Sequence, residues 1–149
     1  QATASLNCTE LRGGTTVPVS FQVVCPAPLT LDADGSDTTS RYAAATDGLL
    51  ILRYMLGLNG TSLSAGAVGT TASRNASQIA AHLASLGTAL DIDGNGTIDA
   101  ATDGLLILRY LLGFRDAALI SDAVGTCPPM GTCRTTAPAI TAYLQLLAP

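Results

Sequence analysis

Lysine and tryptophan are absent from this chain, histidine occurs once, at His82, and charge of either sign is scarce. Charged residues make up 12% of the sequence, against about 25% in an ordinary soluble domain. All seven basic residues are arginines, none lies in a basic run and the net charge is −4, so the electrostatic footprint of nucleic-acid binding is missing. Neither DNA nor RNA is expected as a partner. Long hydrophobic runs are missing as well: the strongest, 49–58, is interrupted by Arg53 and falls short of the roughly 18 residues of a membrane span. With no Trp, two Phe and four Tyr, the chain lacks the aromatic platforms usual in sugar-binding modules. One histidine and no Gly-x-Ser-x-Gly elbow leave no set of nucleophile and base, and the chain reads as non-enzymatic. His82 is expected to be a surface or packing residue.

What is present is enough for one core: 149 residues, 48% of them apolar, make a single ordinary domain. The first residue is Gln1 and no charged n-region with an apolar h-region follows, as expected of a chain whose signal segment was removed or of a fragment. Four cysteines, Cys8, Cys25, Cys127 and Cys133, fall in two local pairs, neither with the spacing of a zinc knuckle or a thioredoxin-like site. Three disulfide connectivities exist. Pairing Cys8 with Cys25 and Cys127 with Cys133 closes the shortest loops and is the expected arrangement, in an oxidising compartment outside the cell or at its surface. The sequons at Asn7, Asn59 and Asn75 are candidate glycan acceptors in a secreted protein.

The chain is internally duplicated. Leu31-Asp-Ala-Asp-Gly35 matches Leu90-Asp-Ile-Asp-Gly94, and the ten residues Ala45-Thr-Asp-Gly-Leu-Leu-Ile-Leu-Arg-Tyr54 recur unchanged at 101–110. The match continues through Gly57 and Gly113, Ala67-Val-Gly-Thr70 and Ala123-Val-Gly-Thr126, Arg74 and Arg134, and Ile79-Ala-Ala-His-Leu83 and Ile140-Thr-Ala-Tyr-Leu144. The division is therefore an N-terminal segment, 1–29, and a duplicated domain, 30–149, with repeats 30–87 and 88–149. In each repeat Thr46 or Thr102 can cap a helix whose first turn carries Asp, and Gly57 or Gly113 can end it, predicting central helices near 46–57 and 102–113. Further helices are predicted at 62–68 and 75–86, and at 116–124 and 136–147. In the N-terminal segment Val17, Val19, Phe21 and Val23 alternate with Pro18, Ser20 and Gln22, the pattern of a short edge strand. The class is mainly α with a short N-terminal β segment.

Eight of the eleven acidic residues lie in two clusters. In the second, Asp91, Asp93, Asn95, Thr97, Asp99 and Asp103 place oxygens at alternate positions around a turn opened by Gly96. A hard cation such as Ca2+, which takes six to eight oxygen ligands, suits this set, with Thr97 offering its carbonyl and Ile98 anchoring the loop in the core. No lysine is near and no helix opens directly after Gly94-Asn-Gly96, which excludes a phosphate cradle. The first loop is three residues longer. There Asp32, Asp34 and Asp47 match, Ser36 or Asp37 fills the fifth position, Arg41 supplies a carbonyl and Ala43 stands where Asp99 stands. Carboxylates this close repel one another, so cation binding should contribute directly to folding.

Leu90-Asp-Ile-Asp-Gly-Asn-Gly-Thr-Ile-Asp with Leu105-Leu-Ile-Leu-Arg-Tyr-Leu-Leu-Gly113 resembles the duplicated calcium loop and helix of bacterial dockerins, within the wider EF-hand family. The resemblance covers residues 31–147. It implies a secreted bacterial protein with two pseudo-twofold-related calcium sites and, in the cellulosomal members, binding to a cohesin. This chain departs in its repeat, more than twice as long, in a final acidic ligand one residue late, and in Leu52 and Leu108 where dockerins commonly carry Lys. Ala44, Ala45, Ala100 and Ala101 occupy the positions that dockerins use for partner selection and carry no polar code.

The composition then favours a structural subunit. Few charges lie away from the loops, and packing against copies of itself, or a coat of glycans, would cover the resulting apolar surface. The strand near 17–24 could pair with a neighbour's sheet edge. The expected function is a calcium-stiffened, self-associating subunit of an extracellular or cell-surface assembly such as a glycosylated filament. The alternative is a monomeric dockerin-type module docking to a cohesin-like receptor or another extracellular protein.

Overall fold

A computed structural model describes residues 30–36, 41–129 and 131–148. The expected N-terminal segment 1–29, with its strand, the Cys8–Cys25 pair and Asn7, lies outside the described residues, as does Asp37. The described part is mainly helical, and no strand occurs among the described residues. In the first repeat a wide helical turn, Ala44–Gly48, runs into α1 (Leu49–Met55), followed by α2 (Gly60–Ser64), α3 (Ala76–Leu86) and a tight turn, Gly87–Leu90. The second repeats this with the turn Ala100–Gly104, α4 (Leu105–Leu111), α5 (Ala117–Ile120) and α6 (Ala137–Leu147).

The central helices end where the glycines predict. Gly57 and Gly113 adopt φ of 80° and 96°, a left-handed backbone that costs glycine little. Around them, the amides of Gly57 and Leu58 bond the carbonyls of Tyr54 and Arg53, and those of Gly113 and Phe114 bond Tyr110 and Arg109, the paired bonds of a Schellman stop. The beginnings differ from expectation. Thr46 and Thr102 are not the caps; they lie inside a turn whose amides reach back five residues, Gly48 to the Ala43 carbonyl at 3.2 Å and Gly104 to the Asp99 carbonyl at 3.1 Å. This turn is wide because the carboxylates of Asp47 and Asp103, one residue later, take the amides at its entry, Ala43 at 2.8 Å and Asp99 at 2.9 Å.

α2 and α5 are shorter than the predicted helices 62–68 and 116–124. Ala65 and Ser121 take an extended conformation, with ψ of 116° and 118°, and Gly66 and Asp122 follow at positive φ. These are type II turns, closed by the Ala67 amide on Ser64 and the Ala123 amide on Ile120. An arginine of the central helix holds each in place. Arg53 Nη1 donates to the carbonyls of Leu63 and Ala65, and Arg109 Nη1 donates to those of Leu119 and Ser121.

One core joins the two repeats. Leu50, Ile51, Leu106 and Ile107 are fully buried at its centre, with Leu63, Ile79, Leu83, Leu119, Ile140 and Leu144 packed around them. Where α1 and α4 meet, a Cβ on Gly48 would stand 3.0 Å from Leu108 Cδ1, and one on Gly104 would stand 2.8 Å from Leu52 Cδ1. Leu52 and Leu108 are thus the knobs of a reciprocal contact between repeats. In the second repeat Cys127 and Cys133 form a disulfide, as their short separation predicts.

Candidate metal centres

Two groups of three aspartates, Asp32, Asp34 and Asp47 and their counterparts Asp91, Asp93 and Asp103, each offer ligand oxygens within 4.8 Å of one another, close enough to hold a metal ion. Asp34, Asp47, Asp93 and Asp103 have no exposed surface. What places them is backbone hydrogen bonding, since a loop short of regular structure must still satisfy its amides. Asp103 accepts from the amides of Ile92 (2.6 Å), Asp93 (3.2 Å) and Asp99 (2.9 Å), and Asp47 accepts from those of Ala33 (2.7 Å), Asp34 (3.4 Å) and Ala43 (2.8 Å). Asp91 takes Gly94, Asn95 and Gly96; Asp32 takes Gly35 and Ser36. Each final aspartate thereby clamps the loop's first turn to the helix that follows it.

The middle aspartates reach across the fold. Asp93 Oδ2 accepts the Gly125 amide at 2.6 Å and Asp34 Oδ2 the Gly69 amide at 2.8 Å. The amides of Arg134 and Arg74 bond the Asp93 and Asp34 carbonyls, and the two guanidinium groups bond carbonyls of the same loops, Asp91 and Ile92 in one, Asp32 and Ala33 in the other. Further out, His82 Nε2 lies 2.9 Å from the Thr30 carbonyl, and the repeat-equivalent Tyr143 hydroxyl donates to the Ala89 carbonyl at 3.1 Å. None of these residues belongs to the ligand set expected from the loop spacing. The signal was available, because Gly69 and Gly125, and Arg74 and Arg134, occupy matching positions of the duplication.

The remaining predicted ligands are spread around the triads. Asn95 accepts the Thr97 amide through Oδ1 and donates through Nδ2 to Asp93 Oδ2, so its amide nitrogen is engaged within the loop. Asp99 is exposed, lies outside the close group and accepts the Ala101 amide at 2.6 Å, which makes it the side-chain cap of the turn Ala100–Gly104. Ser36 is buried and its amide and hydroxyl both donate to Asp34 Oδ1. Arg41 directs its guanidinium at the first loop, with Nε 3.5 Å from Asp32 Oδ2. Ile98 does not anchor the second loop in the core. It is 43% exposed, and it lines a cavity of about 280 Å³ with Tyr54, Met55, Leu83 and Leu90, while Ile92 is the fully buried anchor. Ile92 lies between two members of the triad, Asp91 and Asp93, whereas Ile98 precedes the exposed Asp99 outside it.

Charge is balanced unequally. Among the described residues both carboxylate–guanidinium pairs fall on Asp32, with Arg41 and with Arg74 at 3.7 Å. At the second triad Arg134 spends its donors on carbonyls instead. Burial raises the pKa of Asp47 and of Asp103 above the usual carboxylate value; the neighbouring Asp34 and Asp93 charges push the same way, against the lowering effect of the backbone amides. Close, buried, mutually repelling carboxylates with no imidazole or thiol among them form a donor set suited to a hard, oxygen-seeking cation.

No protein-family model, curated protein or solved structure matches this chain.

Proposed function

We propose that this chain is a non-enzymatic, secreted calcium-binding protein whose two repeat loops are dockerin-like EF-hand sites, and that it serves as a self-associating structural subunit of an extracellular or cell-surface assembly. The observation that carries the calcium reading is the second triad: three carboxylates, two of them fully buried, gathered within 4.8 Å with no guanidinium pair among the described residues. Three like charges in a desolvated site need a counter-charge, and Ca2+ supplies two units of it to an all-oxygen set. The three carboxylates already accept two or three backbone amides each, which fixes their oxygens in place, and the ion would brace the loop instead of serving a reaction.

Self-association is supported by what the fold leaves uncovered. Leu56 and Leu112, at equivalent positions after the central helices, are 62% and 60% exposed, and Phe114 is 43% exposed. A chain with so little charge carries these apolar side chains on both repeats. No helix among the described residues is long and apolar enough to cross a membrane. Asn59 and Asn75 are exposed helix caps, and Asn75 uses Oδ1 in its capping box with Gln78; both positions are accessible to glycans. The test is particle size by light scattering on protein purified from its source, in millimolar calcium and again after chelation. Large particles that dissociate on chelation are expected. A 15.0 kDa monomer in calcium would refute the self-associating subunit and favour docking to a cohesin-like receptor.

A further inference from the structure

The two loops are held by straps of unequal length. Each strap leaves and returns to the same middle aspartate: Gly69 and Arg74 grip Asp34, and Gly125 and Arg134 grip Asp93, in each case by one amide on the carboxylate and one on the carbonyl. The first strap covers its span in five residue steps, the second in nine. The disulfide removes the difference. From Gly125 the covalent path runs two steps to Cys127, crosses 5.9 Å between Cα atoms to Cys133 and needs one more step to Arg134. With consecutive Cα atoms about 3.8 Å apart, a 5.9 Å crossing equals roughly two steps, so the path is again about five steps long. Among the residues cut out of this path, Pro128, Pro129, Gly131 and Thr132 are exposed, and the Gly131 amide bonds the Pro128 carbonyl at 2.9 Å.

We propose that the Cys127–Cys133 disulfide is a strap-shortening clamp that sets cation affinity at the second loop alone, leaving the first loop independent of it. This rests on the calcium reading above. Opening the bond leaves a nine-step flexible strap where the first loop has five. The closure probability falls as the three-halves power of length, about two- to threefold for this ratio, with the Gly125 bond to Asp93 the first contact to be lost.

The experiment uses the full chain with Cys127→Ser/Cys133→Ser, and the same double variant with residues 128–131 deleted, which returns the strap to five steps. Calcium titration by calorimetry reads the second site in an Asp47→Asn background and the first in an Asp103→Asn background. Amide exchange at Gly125 and Gly69, in excess chelator, reads the straps without any cation. The expected result is a dissociation constant at the second site raised at least two- to threefold by the double substitution, unchanged at the first, and restored by the deletion, with exchange accelerated at Gly125 and not at Gly69. Equal affinities with and without the disulfide, or equal losses at both sites, would overturn the clamp. Absence of calcium binding by the unmodified protein would overturn the calcium reading beneath it, and unchanged exchange at Gly125 would then overturn the strap as well.

Discussion

Asp103→Asn separates the backbone clamping done by one carboxylate from its proposed role as a cation ligand. Asp103 has no exposed surface, and its oxygens serve three amides at 2.6 to 3.2 Å; Thr102 Oγ1 lies at 3.4 Å. In asparagine one oxygen becomes an NH2 group, so either the Asp99 amide or the Ile92 and Asp93 pair faces a donor. Leaving a buried donor unsatisfied costs about 1–3 kcal/mol. Loss of a desolvated negative charge beside Asp93 partly offsets that cost, and in chelator the variant should therefore be destabilised by less than this range. In calcium a second loss is added. A site held at 100-fold excess over its dissociation constant contributes about 2.7 kcal/mol to the folded state. For a chain of this size that is a shift of about 5–10 °C in Tm. Calorimetric unfolding of the wild type and the variant, each in calcium and in chelator, gives four midpoints. The quantity that tests the reasoning is the difference of differences, because the hydrogen-bond penalty is common to both media and cancels. A wild-type midpoint that does not move with calcium, or an equal penalty for Asp103→Asn in both media, would refute the cation's share of the argument.

Three further outcomes follow from particular residues. In chelator, Asp47 and Asp103 have folded pKa values raised above 3.8, so their stabilising contribution is full below the unfolded carboxylate pKa and is lost as pH rises through the folded values. Urea midpoints measured in chelator between about pH 4 and 7 should show this fall and should lose it in Asp47→Asn/Asp103→Asn, while calcium affinity rises over the same interval. Asp122, at φ 52°, stands where the first repeat has Gly66 at 66°; Asp122→Gly should add about 0.5–1 kcal/mol, and an unchanged or lower denaturation midpoint would contradict the assigned strain. Gly104→Ala brings a methyl within 2.8 Å of Leu52 Cδ1 and 3.1 Å of Met55 Sδ. Overpacking of about 1–3 kcal/mol against a helix-propensity gain of about 1 kcal/mol should leave it less stable than Gly48→Ala, whose nearest contacts are 3.0 and 3.4 Å, and a reversed order in thermal melts would sink the crossing geometry.

The duplication made most of this arrangement legible. Identical decapeptides announce identical helices, and the glycine after each announces its stop, because few other residues adopt φ near 80–96° so readily. The aspartate triads were legible from spacing for a similar reason: alternate oxygens around a glycine turn converge. The wide turn before α1 and α4 was hidden, since its cause is Asp47 and Asp103 bonding backward to amides that a local helix pattern would leave free. α2 and α5 were overextended because Ala, Ser, Val and Leu continue a helical pattern past the point where Arg53 and Arg109 capture carbonyls from another element. The straps carry no local signature, and their only trace in the sequence is the matching placement of Gly69 with Gly125 and Arg74 with Arg134 in the duplication. Gly69 and Gly125 matter through one amide each, and a sequence records side chains.

That last point explains why a chain so poor in charge can hold two acidic centres. The aspartates are organised by amides, which cost no additional charged residue and which reach each triad from loop, helix entry and strap. Among the described residues only the first triad adds guanidinium groups, on Asp32, the carboxylate of its set that is 5% exposed instead of fully covered. Among the described residues the second triad has amides and the Thr102 hydroxyl but no guanidinium pair, so in the proposed function its remaining repulsion is left for an ion to neutralise. Loop, helix entry and strap each bond a carboxylate of the triad, Asp91 and Asp103 taking the loop, Asp103 the helix entry and Asp93 the strap, and a cation bound there would stiffen three elements of a repeat at once. The exposed Leu56 and Leu112 lie immediately beyond the helices that those entries begin, at equivalent positions in the two repeats. In the proposed assembly, each calcium site therefore steadies the helix that presents one apolar contact, which is why chelation should weaken association before it unfolds the chain.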